Sequence, residues 1–159
     1  MGERSAAKRR LRPTRPIRAG SCTARIVERR KGPRPQRVLI VDDSTDIRDL
    51  WRVWLTFWGF QVEEARNGFE GIQKAALNVP DLVLMDMWMP GLDGVEAMKL
   101  LKADARTAHV PVLAVSAQSE LPDAATVAAA GADAFIPKPC DPDLLLDHIR
   151  SAMRRRQLS

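Results

Sequence analysis

The central strand of the fold is predicted by the sequence Val83-Leu84-Met85-Asp86-Met87-Trp88-Met89-Pro90-Gly91, an apolar run that contains one carboxylate and stops at a Pro-Gly turn. Pro80-Asp81 bounds the run on its other side. A continuous apolar run of this length between turn residues is typical of a strand that is buried on both faces. Asp86 then lies at the carboxyl end of the strand, where open parallel sheets bind ligands. Because a lone aspartate at a strand end is more often a turn or cap residue, its neighbours decide the interpretation.

Three other apolar runs also end in polar groups. Residues 37–41 stop at Asp42-Asp43, residues 112–115 stop at Ser116, and residues 134–137 lead into Lys138-Pro139. A fifth run, residues 60–65, alternates enough to predict an edge strand with one wetter face. The carboxyl ends of parallel strands meet at one edge of a sheet, so we expect the acids, the hydroxyl and the lysine to lie close together.

Helical segments separate the five predicted strands. Cap residues, glycines and prolines place them at about 44–58, 67–78, 93–102, 122–131 and from 141 onward. Strict alternation of strands and helices predicts an α/β fold whose parallel sheet is covered on both faces by right-handed crossovers. Helical periodicity assigns to the core a set of residues in the first and third helices: Ile47, Leu50, Trp51, Trp54, Trp58, Val95, Met98, Leu100 and Leu101.

Charge is unevenly distributed along the 159 residues, a length that suits one well-buried domain. Residues 1–37 contain 13 Lys or Arg and two acids, whereas the rest of the chain contains 12 Lys or Arg and 18 acids. We predict a basic, disordered arm at 1–36, a folded domain at 37–153 and a short basic tail at 154–159. The arm has three interpretations: it binds nucleic acid or an acidic membrane surface, it is an inert solvated tail, or it results from a start codon assigned too far upstream.

Neither a membrane span nor an export signal is indicated by the sequence. No apolar run approaches the ~18 residues that a membrane span needs, and no apolar region follows the basic residues near the N-terminus. Cys22 and Cys140 lack the spacing of metal ligands, which favours free thiols in a reducing compartment. We therefore expect a cytoplasmic protein.

Three carboxylates at one edge of the sheet would repel one another. At ~4 Å and an effective dielectric constant of ~20, each pair costs on the order of 4 kcal/mol, so a cation must bind or one carboxyl group must keep its proton. Oxygen ligands with vacant positions are typical of Mg²⁺ bound beside a phosphate group. With Lys138 as a second cation and Ser116 as a hydroxyl donor, the site suits a phosphoryl group on a carboxylate, and Asp86 is the candidate nucleophile. An ionised carboxylate needs no histidine base, so His109 and His148 are interpreted as structural.

These motifs resemble the receiver domain of two-component response regulators, in particular the single-domain, chemotaxis-type regulators. The resemblance covers residues 37 to about 153 and rests on four motifs in the right order: Asp42-Asp43; Asp86 followed by Met89-Pro90 and Gly94; Ser116; and Lys138-Pro139 preceded by Phe135. It implies a flavodoxin-like, doubly wound sheet of five parallel strands in the order 2-1-3-4-5. It also implies phosphoryl transfer onto Asp86 from a histidine kinase or a histidine phosphotransfer protein.

The resemblance further implies a metal site. Mg²⁺ would be held by Asp43, Asp86 and the backbone carbonyl of Trp88, with Asp42 reaching the ion through water. The resemblance thus makes Mg²⁺ the expected cofactor.

A conformational switch is the last implication of the resemblance. The hydroxyl of Ser116 would move to the phosphoryl group while Phe135 swings inward, which remodels the face formed by the fourth helix, the fifth strand and the fifth helix. The Lys138-Pro139 peptide bond is expected to be cis, as in relatives.

Two residues depart from the usual pattern of the family. Trp88 lies two residues after Asp86, where relatives often carry a small or polar side chain, and Gln118 lies two residues after Ser116. Both positions flank the path of attacking water, so we predict that Trp88 slows loss of the phosphoryl group. Phe135 lacks the hydroxyl of the commoner tyrosine, which excludes a switch that depends on that hydroxyl.

Taken together, these observations predict a stand-alone receiver that is phosphorylated on Asp86, requires Mg²⁺ and signals through contacts with a downstream protein. It would catalyse its own phosphorylation and dephosphorylation without being a conventional turnover enzyme. One alternative is a regulator whose basic arm binds nucleic acid under the control of the receiver. Another is a phosphatase or dehalogenase-like hydrolase on the same sheet, which is disfavoured because no second acid lies two residues after Asp86.

Overall fold

The computed structural model describes residues 34–117 and 123–158, which alternate between strands and helices throughout. The strands are β1 (Arg37–Val41), β2 (Gln61–Ala65), β3 (Leu82–Asp86), β4 (Val112–Ala117) and β5 (Ala134–Lys138). The helices are α1 (Thr45–Phe57), α2 (Gly68–Leu77), α3 (Gly94–Ala103), α4 (Ala124–Ala129) and α5 (Pro142–Gln157). All strand pairs are parallel, and the order is β2-β1-β3-β4-β5. The predicted fold class and strand order are confirmed.

The register of the sheet aligns the carboxyl ends of the central strands. Val41 at the end of β1 lies opposite Met85, and Asp86 at the end of β3 lies opposite Val115. The last pair of β4 and β5 is Ala117 with Lys138. The polar residues that follow or end these strands therefore project from the same edge of the sheet.

Two hydrophobic clusters cover the two faces of the sheet. Leu39 and Val41 of β1 join the cluster formed with α2, α3 and α4, whereas Val38 and Ile40 join the cluster formed with α1 and α5. Every residue of β3 is buried, as its continuous apolar run predicts. The prediction that β2 is an edge strand is also confirmed.

Side-chain caps fix where the helices begin. Ser44 accepts a hydrogen bond from the amide of Ile47 at the start of α1, and Asp93 accepts one from Glu96 at the start of α3. After α1, Gly59 adopts a φ of 88°, which an L side chain rarely adopts. The predicted end of α1 near residue 58 and the predicted start of α3 at residue 93 are thus confirmed.

Two residues assigned to the core are exposed instead. Leu50 of α1 has 42% of its surface exposed and Leu100 of α3 has 49% exposed, so these two assignments were wrong. In each helix the next residue along the chain, Trp51 or Leu101, is buried in the core. A helical wheel places a residue on an arc, but how much of that arc the sheet covers depends on how closely the helix packs.

The last helix continues further than predicted. We predicted a short basic tail after residue 153, but α5 extends through the three arginines to Gln157. Arg156 donates to the backbone oxygens of Pro80 and Asp81 and to the Asp81 carboxylate, and cations suit the negative end of a helix dipole.

Ordered contacts begin before the first strand. The guanidinium of Arg34 lies 2.9 Å from a carboxylate oxygen of Asp81, and the amide of Gln61 donates to the carbonyl oxygen of Gln36. Most of the predicted basic arm, residues 1–33, lies outside the described residues. Within the described residues, no helix has the length and apolar character required to cross a membrane.

Candidate active site

Three aspartates meet at the carboxyl edge of the sheet. Asp86 is the last residue of β3 and has 5% of its surface exposed, whereas Asp42 and Asp43 directly follow β1. Asp42 is buried and Asp43 is exposed. One carboxylate oxygen from each lies within 4.8 Å of the other two. The predicted convergence of the acids is therefore present.

Lys138 bridges the two buried carboxylates from the end of β5. Its Nζ donates to Oδ2 of Asp42 at 2.6 Å and to Oδ1 of Asp86 at 2.9 Å. The same ammonium lies 5.4 Å from the centre of the Trp51 ring, within the range of a cation–π interaction. The Lys138-Pro139 peptide bond is cis, as the resemblance implied.

Burial and the contact between Asp86 and Lys138 shift the pKa of each of these two groups in opposite directions. Burial is the largest influence on Asp86 and raises the pKa of its carboxyl group to about 6, aided by the charges of Asp42 and Asp43 and opposed by Lys138. For Lys138, burial alone lowers the pKa, but the hydrogen bonds to Asp42 and Asp86 outweigh it, so the pKa is raised overall. The site thus favours the charged form of Lys138, whereas burial makes the Asp86 carboxyl group easier to protonate than an exposed aspartate.

Local backbone and side-chain contacts hold Asp42 in place. Its second carboxylate oxygen accepts from the amide of Ser44 at 2.9 Å, and Arg48 donates to its backbone carbonyl oxygen at 2.8 Å. Because α1 begins at Thr45, directly after the acid pair, the helix that these contacts anchor also carries Trp51 to Lys138.

Helix α3 packs directly on the strand end that carries Asp86. The amide of Gly94 donates to the carbonyl oxygen of Met87 at 3.0 Å. A Cβ atom on Gly94 would overlap the carbonyl oxygen of Asp86 and lie 2.7 Å from Cα of Met87. Only a residue without a side chain fits this approach.

The predicted switch residues lie on the two strands beyond β3. Ser116 of β4 is fully buried, and its hydroxyl lies 3.5 Å from the carbonyl oxygen of Ala117. Phe135 of β5 is half-buried and packs against the cluster under α2, α3 and α4. Trp88, whose backbone carbonyl was the predicted metal ligand, has 52% of its surface exposed. Gln118 lies outside the described residues.

Sequence reasoning missed two contacts of this site. Trp51 was assigned only to the core and Arg48 was not predicted to be a site residue, whereas the structure places both in contact with the acid–lysine cluster. The available signal was the start of α1 beside Asp43, which brings the helix's first turns near the strand ends.

The donor set suits a hard divalent cation. Carboxylate oxygens are the ligands that Mg²⁺ prefers, and the exposed Asp43 leaves one side of the cluster accessible to solvent. The bridging Lys138 already neutralises part of the charge on Asp42 and Asp86.

Comparison with known proteins gives a consistent result. The sequence matches the family described as response regulator receiver domain over residues 38–150. It is 35% identical over 119 residues to the DNA-binding dual master transcriptional regulator RpaA of Synechocystis sp., covering 75% of this chain and 49% of that protein. The chain thus spans about half the length of this relative.

Two solved structures share the fold over nearly their whole length. A CheY-like response regulator receiver domain from Methanospirillum hungatei is 32% identical with a TM-score of 0.71, covering 77% of this chain and 97% of that one. The receiver domain of sensor histidine kinase PA1611 from Pseudomonas aeruginosa, 24% identical with a TM-score of 0.70, covers 76% and 98%; its structure has a magnesium ion coordinated in the active site cleft. By its sequence match, strand order and convergent acids, this chain belongs to the family of response regulator receiver domains.

Proposed function

We propose that this receiver accepts a phosphoryl group on Asp86 from a histidine kinase or a histidine phosphotransfer protein, and that the modification changes its contacts with a downstream protein. The observation that carries the proposal is the buried Asp86 carboxylate, 2.9 Å from the Lys138 ammonium and within 4.8 Å of two further acids. Carboxylates placed among cationic groups form aspartyl phosphates.

In the proposed reaction, a carboxylate oxygen of Asp86 forms a bond to phosphorus as the bond between phosphorus and the donor's histidine nitrogen breaks. The electron pair of the broken bond stays on that nitrogen. Lys138 faces Asp86 and would neutralise charge on the transferred oxygens, which is the main source of catalysis in phosphoryl transfer.

The proposed cofactor is Mg²⁺, held by Asp43, Asp86 and the backbone carbonyl of Trp88, with Asp42 in contact through water. When bound, such an ion supplies positive charge to phosphoryl oxygens. The cluster of three carboxylates supports this assignment, since their mutual repulsion favours a bound cation.

The proposed switch couples Ser116 and Phe135. The 3.5 Å hydrogen bond of the Ser116 hydroxyl is at the outer limit for such a bond, so the hydroxyl can turn toward a new acceptor at small cost. A phosphoryl group on Asp86 would provide that acceptor. Phe135 on the adjacent strand would then swing inward into the space that the Ser116 hydroxyl leaves. The face of α4, β5 and α5 would then change shape for its protein partner.

Intact-mass measurement tests the proposed function. Incubation with phosphoramidate and Mg²⁺ should add the mass of one phosphoryl group to the wild-type chain and none to Asp86→Asn. A chelator should suppress the addition. Mass gain by Asp86→Asn would contradict the assignment of the acceptor, and steady release of phosphate from a phosphate monoester would indicate a hydrolase instead.

A second candidate function is nucleic-acid binding controlled by the receiver. The observation that favours it is the basic character of residues 1–37, which contain 13 Lys or Arg and only two acids. Such a segment would bind duplex DNA with an affinity that falls steeply as salt concentration rises. Loss of that affinity on deletion of residues 1–33 would support this function, whereas equal affinity of both chains would exclude it.

A further inference from the structure

Lys138 contacts three side chains at the active site, and one of them carries no charge. Two are the hydrogen bonds to Asp42 and Asp86, at 2.6 and 2.9 Å. The third is the ring of Trp51, whose centre lies 5.4 Å from Nζ. Trp51 is 2% exposed and belongs to the hydrophobic cluster beneath α1 and α5, so its ring is held by the core.

The charged contacts of Lys138 cannot all persist through the proposed reaction. Phosphorylation of Asp86 forms an acyl phosphate, which removes the negative charge from the carboxylate and places new charge on the phosphoryl oxygens. The lysine side chain is long and flexible, and with one partner altered its ammonium has more positions available. The face of an aromatic ring attracts a cation whatever the state of Asp86.

We propose that Trp51 is a positioning residue for Lys138: its ring holds the ammonium beside Asp86 before and during phosphoryl transfer. This inference rests on the proposed function. It also gives α1 a part in the site beyond the acid pair that precedes it, because the helix carries the ring to the lysine.

The alternative is that Trp51 only fills the core. Three variants separate the two roles. Trp51→Phe keeps a ring face and Trp51→Leu removes it. Trp58→Leu makes the same change at the C-cap of the same helix, where the ring packs against the same hydrophobic cluster and the Lys138 ring contact is to Trp51 instead. Both leucine variants should lower stability, so stability alone does not distinguish the roles.

The first readout is the NMR signal of the Lys138 methylene protons next to Nζ. A ring face close to these protons shifts their signal upfield from the position of the other lysines, and Lys138→Arg assigns the signal by its loss. We expect the upfield shift in wild type, Trp51→Phe and Trp58→Leu, and its absence in Trp51→Leu.

The second readout is the rate of phosphorylation by phosphoramidate with Mg²⁺, followed by intact mass. Trp51→Leu should be slower than wild type by about threefold to tenfold, the range of a partly desolvated cation–π contact. Trp51→Phe should recover most of the rate, and Trp58→Leu should stay within about twofold of wild type.

Two results would overturn the inference: an unchanged lysine signal and rate in Trp51→Leu, or an equal loss of rate in Trp58→Leu. If Trp51→Leu does not fold, the inference is overturned by a Trp51→Phe variant with wild-type stability whose lysine signal lies among those of the other lysines. A wild-type chain that gains no phosphoryl mass would overturn the proposed function itself, whereas the NMR shift reports the ring contact without phosphorylation.

Discussion

Asp86 combines burial with two acidic neighbours and one cationic neighbour. Burial dominates and raises the pKa of its carboxyl group from 3.8 to about 6. We expect the side-chain carboxyl carbon of Asp86 to titrate near this value by NMR without Mg²⁺. Added Mg²⁺ should lower the pKa, since a bound cation favours the ionised form. A titration near 4 without metal would contradict the dominance of burial.

The same shift predicts a pH dependence of stability. Because the folded state holds the Asp86 proton more tightly than the unfolded state, it is most favoured below pH ~4 and loses this contribution as pH rises through about 6. The loss should reach at most about 3 kcal/mol in the free energy of unfolding. Denaturant unfolding of wild type and Asp86→Asn between these pH values isolates it, since the asparagine variant lacks the titrating group. Parallel pH profiles of the two chains would contradict the prediction.

Trp88 is one of the two residues that we expect to depart from the family pattern near the acceptor. Its side chain is bulky and half exposed, and we predict that it hinders water from reaching phosphorylated Asp86. Trp88→Asn should therefore lose its phosphoryl group at least about threefold faster than wild type. Trp88→Phe, which keeps a large side chain, serves as the control. Intact mass measured over time after removal of the donor gives the rate at which the phosphoryl group is lost. Equal or slower loss in Trp88→Asn would contradict the prediction.

At the scale of elements, the start of α3 sets the position of the end of β3. A methyl group added at Gly94 would overlap the Asp86 carbonyl oxygen, so helix and strand must separate. Gly94→Ala should lower the free energy of unfolding by about 2–3 kcal/mol and also slow phosphorylation, because the displaced backbone belongs to Asp86.

Gly59→Ala provides the matched control for this prediction. Gly59 has a φ of 88° with open space around its Cβ position, so the same added methyl group should cost about 1 kcal/mol through backbone strain alone. Its phosphorylation rate should match that of wild type. Equal phosphorylation rates of Gly94→Ala and Gly59→Ala would show that the α3–β3 contact does not position the acceptor.

The elements differ in how well the sequence predicts them. Strand β3 is predictable because an apolar run between turn residues has few other conformations, and α1 because caps mark its ends. Leu50 was misassigned because periodicity gives a direction and not the depth of burial. The contact between Trp51 and Lys138 joins residues far apart in the chain, and local patterns carry no distance between elements.

At the scale of the whole molecule, an acidic domain carries a basic N-terminal segment, with 18 acids against 12 Lys or Arg from Val38 onward. The part of this segment that the structure describes, from Arg34 onward, contacts the domain. Asp81 accepts hydrogen bonds from the Arg34 guanidinium, the Arg37 amide and the Arg156 guanidinium, and thus joins the chain before β1 to α5. Residues from Arg34 onward therefore have a structural role that the charge pattern alone did not reveal.

Two truncations test this structural role of residues 34–36. A chain that starts at Arg34 keeps the contact with Asp81 and the bond between Gln36 and Gln61, so it should unfold and be phosphorylated as the full chain does. A chain that starts at Arg37 loses both and should lose about 1 kcal/mol of unfolding free energy, because partly exposed ion pairs and single backbone hydrogen bonds contribute modestly. Its phosphorylation rate should stay unchanged, since these contacts lie at the opposite edge of the sheet from Asp86. Denaturant unfolding gives the stability of the three chains, and intact mass gives their phosphorylation rates. Slower phosphorylation of the chain that starts at Arg37 would mean that the two edges of the sheet are coupled. Equal stability of all three chains would mean that residues 34–36 do not contribute to the fold.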